Sequence, residues 1–346
     1  MSRMIKVGGV QIGGGAGVSV QSMTNTNTAD WEATLRQIEE LRAAGCDIVR
    51  CAVPDMDSVR GLGRIRERTD MPIVADIHFD YRLAVEAAAA GADKIRINPG
   101  NIGSDDRVKA VVAACRAREI PIRIGVNGGS LPKDILERYG VTGEGMVAAA
   151  KRHIDILRRF DFEDICVSLK ASDVMTTIRA YELMAGECDY PLHVGVTEAG
   201  TEYEGVIASS VGIGALLARG IGDTIRVSLT APPLREVKAG IAILRSLGLR
   251  RGGVRIISCP TCGRTQVDLI ALAEKARERF GESDKNAAIA IMGCAVNGPG
   301  EARGADFGVA CGKGEGLLFK KGEIVGKVPF DEILDRLEEF LENYNE

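Results

Sequence analysis

The segment Ile122-Arg-Ile-Gly-Val-Asn127 alternates aliphatic residues with polar or small ones. Successive side chains of a strand point to opposite faces, so Arg123 and Asn127 share one face and the aliphatic residues share the other. The same alternation occurs in Lys94-Ile-Arg-Ile-Asn98 and in Thr224-Ile-Arg-Val-Ser228. We expect the aliphatic faces to pack against helices. The pattern therefore predicts strands whose charged side chains point inwards.

Eight short β-type runs alternate with helical patterns between about Val18 and Thr230. The runs are Val18–Ser22, Asp47–Val53, Ile73–His78, Lys94–Asn98, Ile120–Asn127, Ile165–Lys170, Leu192–Val196 and Thr224–Leu229. The helical patterns carry start and stop signals; for example, Asp30 can cap a helix over Trp31–Ala44 and Gly45 can end it. Eight such units match a TIM (β/α)8 barrel better than an open sheet.

A smaller domain is expected after the Gly-rich segment Leu249-Arg-Arg-Gly-Gly253. We assign residues 1–248 to the barrel and residues 249–346 to this α+β domain. Its expected elements are the strand Val254–Ser258, the helix Thr265–Phe280, the strand Ala287–Met292, the strands Gly316–Lys320 and Ile324–Val328, and a helix from Phe330 to about Tyr344. A domain this small is near the lower size limit for independent folding, so a bound cofactor would help to stabilise it.

The composition narrows the class of protein. The chain has 346 residues, 45% hydrophobic and only 4% aromatic, with 42 glycines, which is typical of a two-domain α/β enzyme. A net charge of -4 and a pI near 5.7 argue against nucleic acid or an anionic membrane as the main partner. The sequence has no signal peptide, transit peptide or membrane-spanning run, so we expect a cytoplasmic protein whose cysteines are reduced thiols or metal ligands.

Cations occur on the expected inward faces of successive strands, near what we expect to be their C-terminal ends: Arg50, Arg96, Arg123, Lys170 and Arg226. An unpaired buried guanidinium costs several kcal/mol. The nearby carboxylates, Asp76 and Glu198, are too few to neutralise all five cations. The excess predicts a phosphate or diphosphate ligand at the face where this fold places active sites. The competing interpretation is a set of salt bridges at the barrel rim.

Four residues are candidates for acid–base or covalent chemistry. Asp76 and His78 share a strand face, so the carboxylate could orient the imidazole. Glu198 follows a strand, where it could transfer a proton or cap the next helix. Lys170 could form a Schiff base, although phosphate binding suits its cationic surroundings better.

Three cysteines lie in Gly- and Pro-rich turns: Cys259 and Cys262 in Ser258-Cys-Pro-Thr-Cys-Gly-Arg264, and Cys294 in Met292-Gly-Cys-Ala-Val-Asn-Gly-Pro-Gly-Glu301. Cys-x-x-Cys alone also describes a dithiol redox site or half of a zinc site. The third cysteine favours a soft metal or an iron–sulfur cluster. Glu301, Cys311 or a substrate remains for the last ligand position, with Cys311 also interpretable as a plain loop thiol.

Five motifs resemble one known family. They are Cys259-Pro-Thr-Cys-Gly-Arg264, Met292-Gly-Cys-Ala-Val-Asn-Gly-Pro-Gly-Glu301, Ala75-Asp-Ile-His-Phe79, Arg96-Ile-Asn-Pro-Gly-Asn101 and Arg123-Ile-Gly-Val-Asn127. Together they resemble the bacterial (E)-4-hydroxy-3-methylbut-2-enyl diphosphate synthases of the methylerythritol phosphate route to isoprenoids. The resemblance implies a TIM barrel joined to a ferredoxin- and sulfite-reductase-like domain that carries a [4Fe-4S] cluster. By matching motif, the cluster ligands would be Cys259, Cys262, Cys294 and Glu301.

The resemblance also implies a substrate, 2-C-methyl-D-erythritol 2,4-cyclodiphosphate, and electrons from flavodoxin or ferredoxin. It places on the diphosphate the residues Arg50, Arg96, Asn98, Arg123, Asn127, Lys170, Arg226 and Ser228. It places His78 beside the substrate, where Asp76 can orient it, and Glu198 near the reacting carbons. It further implies a homodimer in which each barrel faces the cluster domain of the partner.

Two alternatives from other classes remain at this point. One is a binding module whose iron–sulfur cluster senses iron or redox state. The other is a phosphosugar lyase with structural zinc and Lys170 as the Schiff base.

Overall fold

The computed structural model of the chain describes residues 1–281, 283–295, 302 and 304–344. The chain divides into two compact units, Met1–Arg250 and Arg251–Glu346. Among the helices in the described ranges, none is long and apolar enough to cross a lipid bilayer.

The first unit begins with an antiparallel hairpin of β1 (Ile5–Val7) and β2 (Val10–Ile12), which the sequence analysis did not predict. Its apolar side chains pack with Ile48, Val74 and Cys166, which lie at or near the first residues of three barrel strands. The hairpin therefore covers the end of the barrel at which the strands begin.

Eight parallel strands form the barrel. They are β3 (Ser19–Met23), β4 (Ile48–Ala52), β5 (Ile73–Asp76), β6 (Lys94–Ile97), β7 (Ile122–Asn127), β8 (Ile165–Lys170), β9 (His193–Val194) and β10 (Thr224–Ile225), in the order β8-β7-β6-β5-β4-β3-β10-β9. Val167 of β8 forms a parallel bridge with Leu192, and its N–H donates to the Pro191 carbonyl at 3.0 Å. This bridge joins the two ends of the sheet, so the predicted TIM barrel is confirmed.

Helices surround these strands. They are α1 (Trp31–Ala43), α2 (Met56–Arg66), α3 (Tyr81–Ala89), α4 (Pro99–Ile102), α5 (Asp105–Ala117), α6 (Lys133–Tyr139), α7 (Gly143–Arg158), α8 (Val174–Glu187), α9 (Glu202–Leu217) and α10 (Pro233–Ser246). As predicted, Asp30 caps α1 by accepting a hydrogen bond from Ala33 N at 3.1 Å. Ile95, Ile97, Ile122 and Ile124 are fully buried in the core shared with the helices. The opposite, polar faces of these strands therefore line the barrel interior.

The second unit is a five-stranded sheet with two helices in its described part. Its elements are β11 (Arg255–Ser258), α11 (Leu269–Phe280), β12 (Ala288–Met292), β13 (Phe307–Cys311), β14 (Glu315–Lys320), β15 (Glu323–Pro329) and α12 (Ile333–Glu342). The strands follow this order across the sheet; the first three are parallel and the remaining pairs are antiparallel. The separate α+β domain is thus confirmed.

Two predicted features of this unit were wrong. The helix expected from Thr265 begins at Leu269, because Asp268 caps it by accepting a hydrogen bond from Ala271 N at 3.1 Å. Cys311 ends a strand rather than lying in a loop. This strand, β13, was not predicted from the sequence. Within it Gly308 packs so closely that a Cβ atom there would lie 2.3 Å from the Ala290 carbonyl oxygen.

Candidate active site

The five predicted cations are largely buried within the barrel. Relative exposure is 7% for Arg96, 1% for Arg123 and 7% for Lys170. The side chains of Arg50 and Arg226 are 13% and 17% exposed. The cations are therefore not solvated, although Arg50, Arg96 and Arg226 do form ion pairs, as the competing interpretation expected.

Contrary to the expectation from the sequence, the cations do not all lie at the C-terminal ends of strands. Arg123 is the second residue of β7, directly opposite Arg96 in the register of β6 and β7. Arg226 follows the last residue of β10. The strands of a closed barrel are staggered, so residues near the start of one strand and near the end of another lie at similar depth. The five cations can therefore lie at similar depth in the barrel although they occupy different positions along their strands.

Asp76 is the carboxylate at the centre of this cluster. Its Oδ1 accepts a hydrogen bond from Arg96 Nη1 at 3.2 Å, and its Oδ2 lies 3.9 Å from Arg50 Nε and 3.5 Å from His78 Nε2. Burial raises the pKa of Asp76, but the Arg50 charge and the interactions with His78 and Arg96 outweigh burial and hold that pKa well below its usual range. Asp76 therefore stays ionised and can orient both guanidinium groups and the imidazole.

Two polar partners of the cations were missed. Arg123 Nη1 donates to Gln21 Oε1 at 3.0 Å, and Arg226 Nη2 donates to Glu236 Oε1 at 3.3 Å. Gln21 lies in β3, where the period-two rule could have identified it. Glu236 lies in the first turn of α10, and a helical residue gives no such signal. The second carboxylate of the cluster is therefore Glu236 rather than Glu198.

The cluster has an excess of positive charge. Contacts among the described residues supply two carboxylates, Asp76 and Glu236, to the five predicted cations. Burial lowers the pKa of Lys170 well below its usual range, and the charges of Arg226 and Arg123 lower it further. Burial and the Arg50 charge likewise lower the pKa of Arg123. An anion at this position would favour the charged forms of both residues.

Asn98, Asn127 and Ser228 lie at or just beyond the ends of barrel strands. Asn98 Oδ1 accepts a hydrogen bond from Gly100 N at 3.1 Å, which fixes the turn into α4. Asn127 is the last residue of β7 and pairs in register with Lys170. Ser228 is half-buried beyond β10. The structure thus places Asn127 next to the cations, but shows no hydrogen bond from the described residues that ties Ser228 to them.

Glu198 has an unusual backbone conformation. It is exposed, and its φ of 54° lies in the left-handed region that non-glycine residues seldom adopt. Such a conformation costs of order 1–3 kcal/mol and persists where the surrounding structure enforces it. Gly200, two residues later, also has a positive φ of 110°. The loop after β9 therefore holds the backbone of Glu198 in a defined, strained conformation.

Cys259 and Cys294 lie beyond the C-terminal ends of two neighbouring parallel strands of the second unit's sheet, and Cys262 is in the turn that begins at Cys259. Cys259 follows β11 and Cys294 follows the neighbouring parallel strand β12. Gly293 N donates to Cys259 Sγ at 3.3 Å, so the two turns meet. Over the described ranges, no three His, Cys, Asp or Glu side chains are arranged so that they could hold a metal ion. Glu301, the fourth expected ligand, lies outside the described residues.

The donor set nevertheless fits a soft cofactor. The exposed Cys262 thiol has its pKa lowered by the backbone N–H of Arg264, which favours the thiolate. The N–H of Gly293 donates a hydrogen bond to the Cys259 sulfur. Thiolates supported by backbone N–H groups are the usual ligands of iron–sulfur clusters.

Cys311 differs from the three motif cysteines. It is fully buried in the apolar core of the second unit, and burial together with the neighbouring Cys259 raises its pKa to about 11. A protonated, buried thiol is a poor metal ligand. The structure therefore favours a packing role for Cys311.

Comparison with known proteins identifies the family. Residues 2–241 match the model described as the GcpE TIM-barrel domain, and residues 255–343 match that of the GcpE protein C-terminal domain. The chain is 54% identical over 342 residues to 4-hydroxy-3-methylbut-2-en-1-yl diphosphate synthase (flavodoxin) of Clostridium perfringens, covering 99% of this chain and 98% of that one. It is 56% identical over 337 residues to the protein of the same name from Ruminiclostridium cellulolyticum, covering 97% and 96%.

A more distant similarity concerns the fold alone. The type I 3-dehydroquinate dehydratase of Clostridium difficile superposes with a TM-score of 0.53 at 16% identity, covering 71% of this chain and 98% of that one. Both halves of the chain match one family, with motifs, barrel and second domain in agreement. The chain belongs to the GcpE family.

Proposed function

We propose that this protein converts 2-C-methyl-D-erythritol 2,4-cyclodiphosphate to (E)-4-hydroxy-3-methylbut-2-enyl diphosphate, with reduced flavodoxin as electron donor. The observation that carries the proposal is the excess of buried cations over the carboxylates that contact them. A cyclic diphosphate supplies the missing negative charge. Relatives with more than half of their residues identical bear the name of the synthase that makes this product.

The barrel residues bind and orient the substrate in this proposal. The diphosphate is held by Arg50, Arg96, Asn98, Arg123, Asn127, Lys170, Arg226 and Ser228. Asp76 keeps the guanidinium groups of Arg50 and Arg96 at a fixed spacing, so that little reorganisation is needed when the anion binds. Because Asn98 Oδ1 already accepts from Gly100 N, its amide nitrogen is the group available to donate to phosphate.

We assign proton transfer to two residues. Glu198 is held in a strained conformation at the barrel rim, and we assign it to proton transfer at the reacting carbons. His78 Nε2 lies 3.5 Å from Asp76 Oδ2, and this contact fixes the orientation of the imidazole. We assign His78 to proton transfer to the phosphate that leaves carbon when the ring opens.

Cys259, Cys262, Cys294 and Glu301 would hold a [4Fe-4S] cluster. When bound, the cluster would supply electrons singly and Lewis acidity toward the leaving oxygen. The support is the meeting of the two cysteine turns through Gly293 and the thiolate-favouring surroundings of Cys262.

The test is turnover. Anaerobically purified, iron-loaded protein is mixed with the cyclic diphosphate and reduced flavodoxin, and the phosphorus NMR spectrum is followed. We expect the signals of the cyclic diphosphate to be replaced by those of a linear diphosphate. With the Cys294→Ala variant the spectrum should stay that of the cyclic substrate. If the iron-loaded protein leaves the cyclic substrate intact, the proposed function is wrong.

We also propose that the working form is a homodimer in which one barrel meets the cluster domain of its partner. The supporting observation is that the cations and the thiols lie in separate compact units. Mixing the inactive variants Arg123→Met and Cys294→Ala tests this. In a mixed dimer, one of the two sites combines the intact barrel of one protomer with the intact cluster domain of the other. Recovery of about a quarter of the activity supports shared sites; no recovery contradicts them.

Of the two alternatives, the lyase has one favourable observation. The lowered pKa of Lys170 would suit an amine nucleophile. Borohydride with a phosphosugar substrate should trap an adduct at Lys170 if that reading is correct; we expect none. A sensing module would bind iron without converting the cyclic diphosphate, so turnover in the phosphorus NMR assay would exclude it.

We assign the protein to the cytoplasm. None of the nine cysteines, all of which lie within the described residues, forms a disulfide, which suits a reducing compartment.

A further inference from the structure

Below the five predicted cations the barrel has a second polar layer, which we call the barrel floor: Ser19, Gln21, Lys94, His193 and Thr224. Relative exposure of these residues is 5%, 1%, 0%, 0% and 0%. Thr224 pairs in register with both Ser19 and His193, so these three form a continuous row across β3, β10 and β9. Lys94 precedes Arg96 by two residues in β6 and therefore shares its inward face.

Several atoms of the floor lack partners. Ser19 Oγ, Gln21 Nε2, Lys94 Nζ, Thr224 Oγ1 and both ring nitrogens of His193 make no hydrogen bond to any described residue, and neither does Arg123 Nε just above them. Buried polar groups in native proteins are almost always paired with protein, water or ligand. Lys94 Nζ, Gln21 Nε2 and Arg123 Nε can only donate. A ligand rich in acceptor oxygens would satisfy this layer.

The charges around Lys94 also favour a ligand at this layer, and specifically an anion. Burial lowers the pKa of Lys94 to about 7; the Cys166 thiol on β8 opposes this, while the charges of Arg123 on β7 and Arg50 on β4 add to it. Burial and the same cations, Lys94 among them, lower the pKa of His193 on β9. The ammonium is therefore surrounded by cations and uncharged groups, and an anion would stabilise it.

We propose that the barrel floor is a deeper anion subsite in which Lys94 binds phosphoryl oxygens of the substrate. The choice of a phosphoryl group rests on the proposed function. Ordered water is the competing occupant. Water would satisfy the donors but would leave the charge of Lys94 unbalanced, whereas a phosphoryl group does both.

The subsite is tested by calorimetry with inorganic diphosphate on the iron-loaded protein. We expect Lys94→Met to weaken diphosphate binding about 10- to 100-fold, the usual effect of losing a hydrogen bond to a charged group. Lys109→Met, which removes an exposed lysine from α5, is the matched control and should bind normally. Lys94→Gln, which keeps a donor but no charge, should fall between the two. Circular dichroism checks that each variant is folded.

Proton uptake separates binding from a structural role. Binding repeated at pH 8 in buffers of different ionisation enthalpy should show uptake of protons by the unmodified protein, because the anion restores the charge of Lys94. Lys94→Met should take up fewer protons. Equal affinity with equal uptake, or no diphosphate binding by the unmodified protein, would overturn the subsite. If binding depends on Lys94 but the cyclic substrate is not turned over, the subsite stands and the assigned reaction fails.

Discussion

The guanidinium group of Arg96 lies directly over Gly125, the residue at the centre of β7. A Cβ atom on Gly125 would come within 2.5 Å of Arg96 Nε and 2.6 Å of one terminal nitrogen. Its backbone is ordinary, so the glycine is needed for space rather than for an unusual φ. The absence of a side chain on one strand thus lets the cation of the neighbouring strand extend across the barrel.

Gly125→Ala should displace Arg96 and weaken substrate binding by about tenfold or more. Stability should fall as well, because the displaced guanidinium is buried and hydrogen-bonded to Asp76. Gly186→Ala, in α8 with open space around it, is the control and should stabilise the fold by about 0.4–1 kcal/mol. The measurements are diphosphate affinity and thermal unfolding. Normal affinity for Gly125→Ala would show that the position of Arg96 does not matter.

Asp76→Asn should lower both stability and affinity. The change leaves the buried guanidinium of Arg96 without its carboxylate, which typically costs about 3–5 kcal/mol. Asp70→Asn removes an exposed carboxylate that pairs with Arg42 and should cost about 0–1 kcal/mol. Denaturant unfolding compares the two variants. Similar losses would mean that the ion pairs of Asp76 are as weak as those at the surface.

Glu198→Gln and Glu198→Gly should both abolish turnover while diphosphate still binds. Glu198→Gly should also raise the free energy of unfolding by about 1 kcal/mol, because glycine adopts a positive φ without strain. Glu119, whose φ is 53° in an exposed turn, provides the control: Glu119→Gly should stabilise the fold and keep its activity. Full turnover by Glu198→Gln would remove Glu198 from proton transfer.

Cys294→Ala should lose iron, whereas Cys311→Ala should keep it. Cys294 follows β12 beside the Cys259 turn, while Cys311 is a buried thiol whose pKa is raised to about 11. Iron and sulfide analysis with the visible absorption spectrum distinguishes the variants without an activity assay. Loss of iron from Cys311→Ala would make that residue a ligand.

Lys94→Met should make the ligand-free protein more stable at neutral pH. The pKa of Lys94 is about 7 in the folded protein, below its unfolded value of about 10.4. The folded state therefore disfavours the ammonium, and the resulting loss of stability is complete below pH 7 and disappears as the pH approaches the unfolded value. The melting temperatures of the two proteins should converge between pH 7 and 10. A difference that does not depend on pH would contradict this.

Periodicity in the sequence predicted the barrel because each buried isoleucine of β6 and β7 alternates with an inward polar residue. The same rule applied to β3 and to Lys94 would have found Gln21 and the barrel floor. It could not find Glu236, because this helical residue reaches Arg226 only through the packing of α10 on the barrel. It could not predict β1 and β2 either, since three-residue strands are too short to show a period.

The hairpin of β1 and β2 limits how substrate enters the barrel and how product leaves it. With Ile5, Val7 and Ile12 packed against Ile48, Val74 and Cys166, the end of the barrel at which the strands begin is closed. Whatever enters must leave by the same mouth, past Glu198 and the other groups on the rim. Departure of a finished molecule and arrival of the next are then mutually exclusive events, and a product that keeps its phosphates should act as a competitive inhibitor.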